Sequence, residues 1–278
     1  MHNINVYEGF RGLFIMKKAL VLGAFQFLGF HLCSKLLIDG EEMIGIPLPN
    51  LQVEYVDEKR MEIGRNANFI EQDWNDLEQL FQCEEIDTIY IDLYTLKMAK
   101  DLFSQIQQKI VDNENLLKNK QIVLLTNISF LKEKEGTIFE QTSMFDRNIT
   151  VMYFPTLYGP WQPNDFLFQQ VIEEKRQVKL NSLEYPFDAI FVEDVVKEVV
   201  THVKSSTSKH ILFKSTIPEH WQICVNLLNW EEKMPIIEQR DIGSNIEKRF
   251  VKASNNVKHN LEIQKKHYQL VSINSNDL

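Results

Sequence analysis

Tyr94, Tyr153 and Tyr158 supply phenols, and Thr126 and Ser129 supply hydroxyls, near the ends of apolar segments where such groups can face a cleft. A phenol exchanges protons with a ligand at neutral pH when a neighbouring cation lowers its pKa. No lysine stands four residues after any of the three in helical context, and Lys97 and Lys100 are out of phase with Tyr94. Nucleophilic hydrolysis is unmarked as well, because the sequence has no GxSxG elbow to set a serine against a histidine. His202, His210 and His220 are too dispersed to ligate one metal ion. Cys33, Cys83 and Cys224 form neither a CxxC pair nor a disulfide framework and read as buried free thiols. His31 falls near the apolar face of the first helix, where a satisfied core histidine outweighs a ligand.

The elements that must position these groups alternate from Lys18 onward. Ala19 to Leu22 is a short apolar run ending at Gly23, and Phe27, Leu28, His31, Leu32, Leu36 and Leu37 recur at helical spacing up to Asp39-Gly40. Strands are expected over Met43 to Leu48, Ala67 to Glu71, Thr88 to Leu93, Gln121 to Leu125 and Ile149 to Phe154, with helices over 76–82 and 97–117 between them. Strands apolar on both faces imply a parallel sheet covered by helices. Further on, the pattern predicts a helix over 165–175, a short strand over 189–192, a helix over 193–203 and a strand over 211–213. Thr216 and Pro218 then mark a helix start as capping hydroxyl and first-turn proline. The polar last forty residues hold one expected amphipathic helix, about 257–266.

With 278 residues, 44% of them hydrophobic, the chain can bury a real core, which excludes disorder and coiled coil. Its net charge of −9 disfavours nucleic acid and anionic membranes as partners. No apolar run reaches the roughly 18 residues that span a bilayer, and a cytoplasmic location is expected. Residues 1–15 read as a loosely attached leader, and Met16-Lys17-Lys18 looks like an ordinary bacterial start.

The run from Val21 to Leu32, with Gly23-Ala24-Phe25-Gln26-Phe27-Leu28-Gly29 at its centre, resembles the GxxGFxGxxL turn of the extended short-chain dehydrogenase/reductases, the family of NAD-dependent epimerases and dehydratases. Four more segments follow in that family's order. Gln72-Asp73-Trp74-Asn75-Asp76 resembles its GDxxD, Ile86 to Ile91 its strand four, Tyr158-Gly159-Pro160 its YGP, and Phe187 to Val195 its RDFxxVxDV. The resemblance spans roughly residues 18 to 200. It implies an α/β fold, a Rossmann-like doubly wound parallel sheet over 16–160, with a small C-terminal substrate-type lobe over 161–278 interleaved with the last sheet strands.

The resemblance also implies NAD or NADP, a nucleotide-sugar-like small-molecule ligand, no metal, and a homodimer built on the helices around strand five. It carries cofactor contacts onto Gly23, Phe25, Gln26, Phe27, Leu28, Gly29, Asp73, Trp74 and Leu93, and substrate-pocket roles onto Thr126, Tyr158 and Trp161. In such a turn bare backbone approaches the pyrophosphate on the helix N-terminus. Here Gln26 replaces the middle glycine, where its side chain either crowds the phosphates or donates an amide hydrogen bond to them. Pro47 stands where the family places an acid for the ribose. Leu93-Tyr94 replace two small residues and either fill the nucleotide pocket as core or supply a stacking wall. Asp73 is either an adenine contact or a loop cap, and Trp161 either completes a turn or stacks on a base or sugar. Glu193-Asp194 read first as acids favoring a helix dipole.

The family's chemistry needs a Tyr with a Lys four residues later, and no YxxxK is found in the expected segment. Leu131 and Glu135 fall near the dyad positions, and only 32 residues separate Thr126 from Tyr158, so part of the catalytic segment is missing. Catalytic residues are therefore unassigned. Two readings stand: a family member that binds NAD(P) with altered chemistry, and a non-catalytic pseudoenzyme acting as a sensor or interaction subunit.

Overall fold

Alternation within the strands sends successive side chains to opposite layers. In β1 (Lys18–Leu22), Leu20 and Leu22 enter one core while Val21 enters the other. The computed structural model describes residues 17–51, 53–96, 100–132, 149–205, 210–231 and 246–276; the expected leader at 1–15 lies outside them.

The described chain runs β1, α1 (Phe27–Ile38), β2 (Glu42–Ile46), α2 (Val56–Ile63), β3 (Phe69–Glu71), a 3-10 turn (Trp74–Asp76), α3 (Leu77–Gln82), β4 (Ile86–Asp92), α4 (Lys100–Asp112), α5 (Glu114–Leu117) and β5 (Gln121–Asn127). After a 3-10 segment (Ile128–Lys132) follow β6 (Ile149–Phe154), β7 (Thr156–Tyr158), α6 (Leu167–Ile172), β8 (Ala189–Phe191), α7 (Val192–Ser205), β9 (His210–Ser215), α8 (His220–Leu227), β10 (Glu247–Val251) and α9 (Val257–Asn276). Eight strands form one parallel sheet in the order β10-β9-β6-β5-β4-β1-β2-β3. The chain leaves β1 outward through β2 and β3 and returns at β4 on the other side of β1. This reversal opens a crevice at the carboxyl ends of β1 and β4, where ligands bind in doubly wound sheets.

On one face α1 and α7 pack through Phe30, Leu32, Val195 and Val199; on the other, Leu102, Ile106 and Ile110 of α4 cover Leu20, Ile89 and Leu124. Each such side chain contributes about 1.5–3 kcal/mol on burial. β7 and β8 make a separate two-stranded parallel sheet that carries a third core of Tyr158, Phe168, Phe191 and Trp221. The C-terminal part thus supplies β9 and β10 to the large sheet.

Some elements differ from the sequence pattern. The helix expected from Thr216 begins at His220 instead, because the Thr216 hydroxyl donates to Val251 O of β10 (3.2 Å) and Glu219 takes the N-cap place with φ 52°. The helix expected over 97–117 breaks at Asn113, whose side chain donates to Lys109 O (2.9 Å). β10 has no apolar run because it is an edge strand, with Phe250 58% exposed. The last helix extends to Asn276, well beyond 266. Among the described residues no helix is long and apolar enough to cross a membrane.

Candidate functional site

Gly23 and Gly29 let helix α1 start hard against β1. Gly23 has φ +88°, and a Cβ on Gly29 would stand 2.1 Å from Gly23 O, so only glycine fits there. The turn is tied to β2 by Gly23 and Ala24 N–H donating to Ile46 O (2.8 and 3.2 Å), and Gln26 N–H donates to Gly23 O (2.9 Å). Below it, at the end of β4, Asp92 is 1% exposed. Its carboxylate accepts Gly29 N–H (2.6 Å) and Tyr94 N–H (2.9 Å), and also receives Leu28 N–H. Burial pushes the Asp92 carboxyl up to about 6, against those three N–H bonds and the charge of Lys59. The positive end of α1 is thus complemented by an acid of the chain itself.

Tyr94 is fully buried and belongs to the core. Its hydroxyl donates to Pro155 O (2.9 Å) and accepts Leu157 N–H (2.8 Å), while its ring lies against Phe27 and Phe166. Leu93 is likewise buried, in the opposite layer. Gln26, half-buried, accepts the Thr95 hydroxyl (3.3 Å) across the crevice. Pro47 is half-buried at the end of β2. Asp73 is exposed, and its carboxylate caps the 3-10 turn by accepting Asn75 N–H (2.9 Å), with Asp76 closing the reciprocal bond to Asp73 N–H. Trp74 packs half-buried beside that cap.

Above the turn lies a cavity of about 470 Å³, walled by Gln26, Phe27, Glu54, Lys59, Trp161 and Phe166 among others. Trp161 is 9% exposed and is held at φ +61° between Phe30, Tyr55 and the ring of His267, whose centroid lies 4.2 Å away. Its indole donates to Glu62. The preceding Pro160 O accepts His31 Nε2–H (2.8 Å), and burial lowers the His31 imidazole to about 4, keeping it neutral. Gln264 of α9 is buried; it accepts Gly159 N–H (3.0 Å) and donates to Gln162 and Gln169 (2.8 and 2.9 Å). Helix α9 therefore clamps the segment bearing Trp161.

Lys59 and Glu54 were not among the groups singled out by the sequence. Of the eight tyrosines only Tyr55 has a lysine four residues on, and that lysine is Lys59. The spacing was there to find, but on α2 after β2 rather than after β5. It does not make a proton-transfer pair: the Tyr55 hydroxyl bonds the Asn164 side chain, and burial raises its pKa. Arg60 pins α2 from outside, bonding Glu71 (2.9 Å) and Asp57 (2.7 Å) and lying over the Phe25 ring, which turns Lys59 inward.

Thr126 and Tyr158 do not line this cavity. The Thr126 hydroxyl donates to Met152 O (2.9 Å), and the Tyr158 hydroxyl meets His220 Nε2 (3.0 Å), with His220 Nδ1 in turn on the Ser215 hydroxyl (2.8 Å). Of Leu131 and Glu135, which fall near the family's dyad positions, Glu135 lies outside the described residues. No cluster of three metal-ligating side chains occurs among the described residues.

The eight-stranded parallel sheet, the Gly-rich turn and the small second sheet make a Rossmann-like doubly wound fold, one also seen in solved sugar-nucleotide dehydratases and epimerases. Among solved structures it is similar to dTDP-glucose 4,6-dehydratase of Bacillus anthracis in complex with NAD, at 12% identity and TM-score 0.64 over 91% of this chain and 97% of that one. It is also similar to the UDP-glucose 4-epimerase of Thermotoga maritima with UDP-glucose, at 13% identity and TM-score 0.60 over 91% and 99%. No protein-family model matches the sequence, and no curated protein does.

The residues at this chain's crevice do not fit a dinucleotide. Asp92 already takes the N–H groups of Leu28 and Gly29, Gln26 bridges to Thr95 over the turn, and Pro47 offers no side-chain acceptor to a ribose.

Proposed function

We propose that this chain is a non-catalytic protein of the epimerase/dehydratase fold that binds one small organic ligand in the cavity above its Gly-rich turn. The observation that carries this reading is the Asp92 carboxylate on the N-terminus of α1, an internal anion where a pyrophosphate would need those donors. The buried Tyr94 and the absence of YxxxK between Thr126 and Tyr158 support it. The cavity volume lies within the ~300–1,000 Å³ usual for small-molecule sites.

A thermal-shift titration with NAD, NADH, NADP and NADPH tests it. A ligand at 100 times its Kd stabilises the native state by about 2.7 kcal/mol, a rise of several degrees in Tm. No shift is expected at millimolar dinucleotide, and a clear one would overturn the proposal. It would favor the second reading, an NAD(P)-binding protein with a nucleotide-sugar-like ligand. That reading draws on the Gly23 and Gly29 geometry and on the NAD-bound solved structures.

A further inference from the structure

Lys59 is 4% exposed, yet its ammonium has one hydrogen bond, to Phe25 O at 3.1 Å, and no ion pair among the described residues. An ammonium carries three donors. Its other neighbor is the Trp161 ring, whose centroid is 5.5 Å away. A buried cation with donors to spare, on the wall of a cavity, is a site waiting for an acceptor. The acids facing the same space, Glu54 and Asp165, are exposed at the rim and already bonded, Glu54 to Asn164 N–H (3.1 Å) and Asp165 to the Asn181 side chain (2.6 Å).

We propose that the cavity binds a small hydroxylated carboxylic acid, its carboxylate on Lys59 Nζ, its hydroxyls toward Glu54 and Asp165, and its apolar face against Trp161. This rests on the small-ligand reading above and names the ligand's class. The charge count sets that class. Lys59 neutralises one negative charge inside, while two rim carboxylates and the buried Asp92 repel a second. A phosphate monoester, close to doubly charged at neutral pH, is therefore a poorer ligand, and a diphosphate poorer still. The rim carboxylates accept hydroxyl protons, and the Trp161 face suits the C–H side of a sugar ring.

The test is calorimetric titration of the full chain with galacturonate, and with glucose and glucose 6-phosphate as controls. Galacturonate is expected to bind best, and Lys59→Met to weaken it about tenfold or more, as for a charge-assisted hydrogen bond. Glu54→Gln, a change at an exposed rim, replaces a charged acceptor of the ligand hydroxyls and is expected to weaken galacturonate roughly two- to fivefold. Burial brings the Lys59 ammonium down to about 8, in the field of Glu54, Glu58, Glu62 and Asp92 and of His31 and His267. Affinity should accordingly fall above about pH 8.

The proposal is overturned if galacturonate does not bind, if Lys59→Met binds it as well as the parent chain, or if glucose 6-phosphate binds more tightly. Dinucleotide binding untouched by Lys59→Met would instead sink the reading on which this one rests, so the two failures are distinct.

Discussion

Replacing Tyr94 by phenylalanine removes one oxygen and leaves the ring. That oxygen both donates to Pro155 O and accepts Leu157 N–H, at 2.9 and 2.8 Å, and the residue is fully buried. Two backbone groups at the entry to β7 lose their partner with no water to replace it. Leaving a buried polar group unsatisfied costs about 1–3 kcal/mol, so with two such groups Tyr94→Phe is expected to cost about 2–6 kcal/mol. The ring contacts with Phe27 and Phe166 persist, so no cavity term adds. Urea unfolding followed by far-UV circular dichroism measures this as a lower midpoint at unchanged slope. A loss below about 0.5 kcal/mol would refute the reasoning: the hydroxyl would then be solvated, and Tyr94 would be a cleft wall, leaving room for a larger ligand.

Other outcomes follow from the same geometry. Gly29→Ala places a methyl 2.1 Å from Gly23 O, a backbone atom that cannot yield, and is expected to cost at least about 3 kcal/mol or abolish soluble expression. His31→Leu removes the donor to Pro160 O and should cost about 1–3 kcal/mol at pH 7. The folded His31 has its pKa lowered from 6.5 to about 4, so the unfolded chain takes up the proton first and stability is lost as pH falls below 6.5 toward 4. The gap between parent and His31→Leu should close by about 2 kcal/mol between pH 7 and pH 5, measured by paired urea titrations. An unchanged gap would mean that His31 is not held neutral.

Much of the sheet was legible in the residues. β1, β4, β5 and β6 are buried on both faces and carry continuous apolar runs, which a sequence pattern displays directly. β10 was not, because an open edge is written in charged residues such as Glu247, Lys248 and Arg249. The α8 start misled because Thr216 spends its hydroxyl on a strand thirty-five residues away, a partner that no local pattern discloses. At the site, Gly23 and Gly29 were readable because conformation and close approach restrict the residue type. Lys59 was not, since helix α2 has almost no amphipathic pattern and its one inward lysine looks like any surface lysine until Arg60, pinned to Glu71, fixes the helix's rotation. Asp92 was passed over for the opposite reason: at the tip of an apolar strand it reads as the strand's end, and its bonds to the α1 N–H groups exist only in three dimensions.

The clamp of α9 on the Trp161 segment bears on the order in which a nascent chain acquires its parts. The strands β1 to β5 can pair while the rest is still being synthesised, since each finds its neighbors within the first 154 residues, and β6 then awaits only β9 on its outer side. The cavity wall cannot. Gly159 waits for Gln264, and Trp161 for His267, so the recess closes only once translation has passed more than a hundred residues beyond the turn it protects. A chain cut short by proteolysis or a premature stop ahead of Gln264 would keep its central sheet and lose its binding recess, a folded remnant without an occupant.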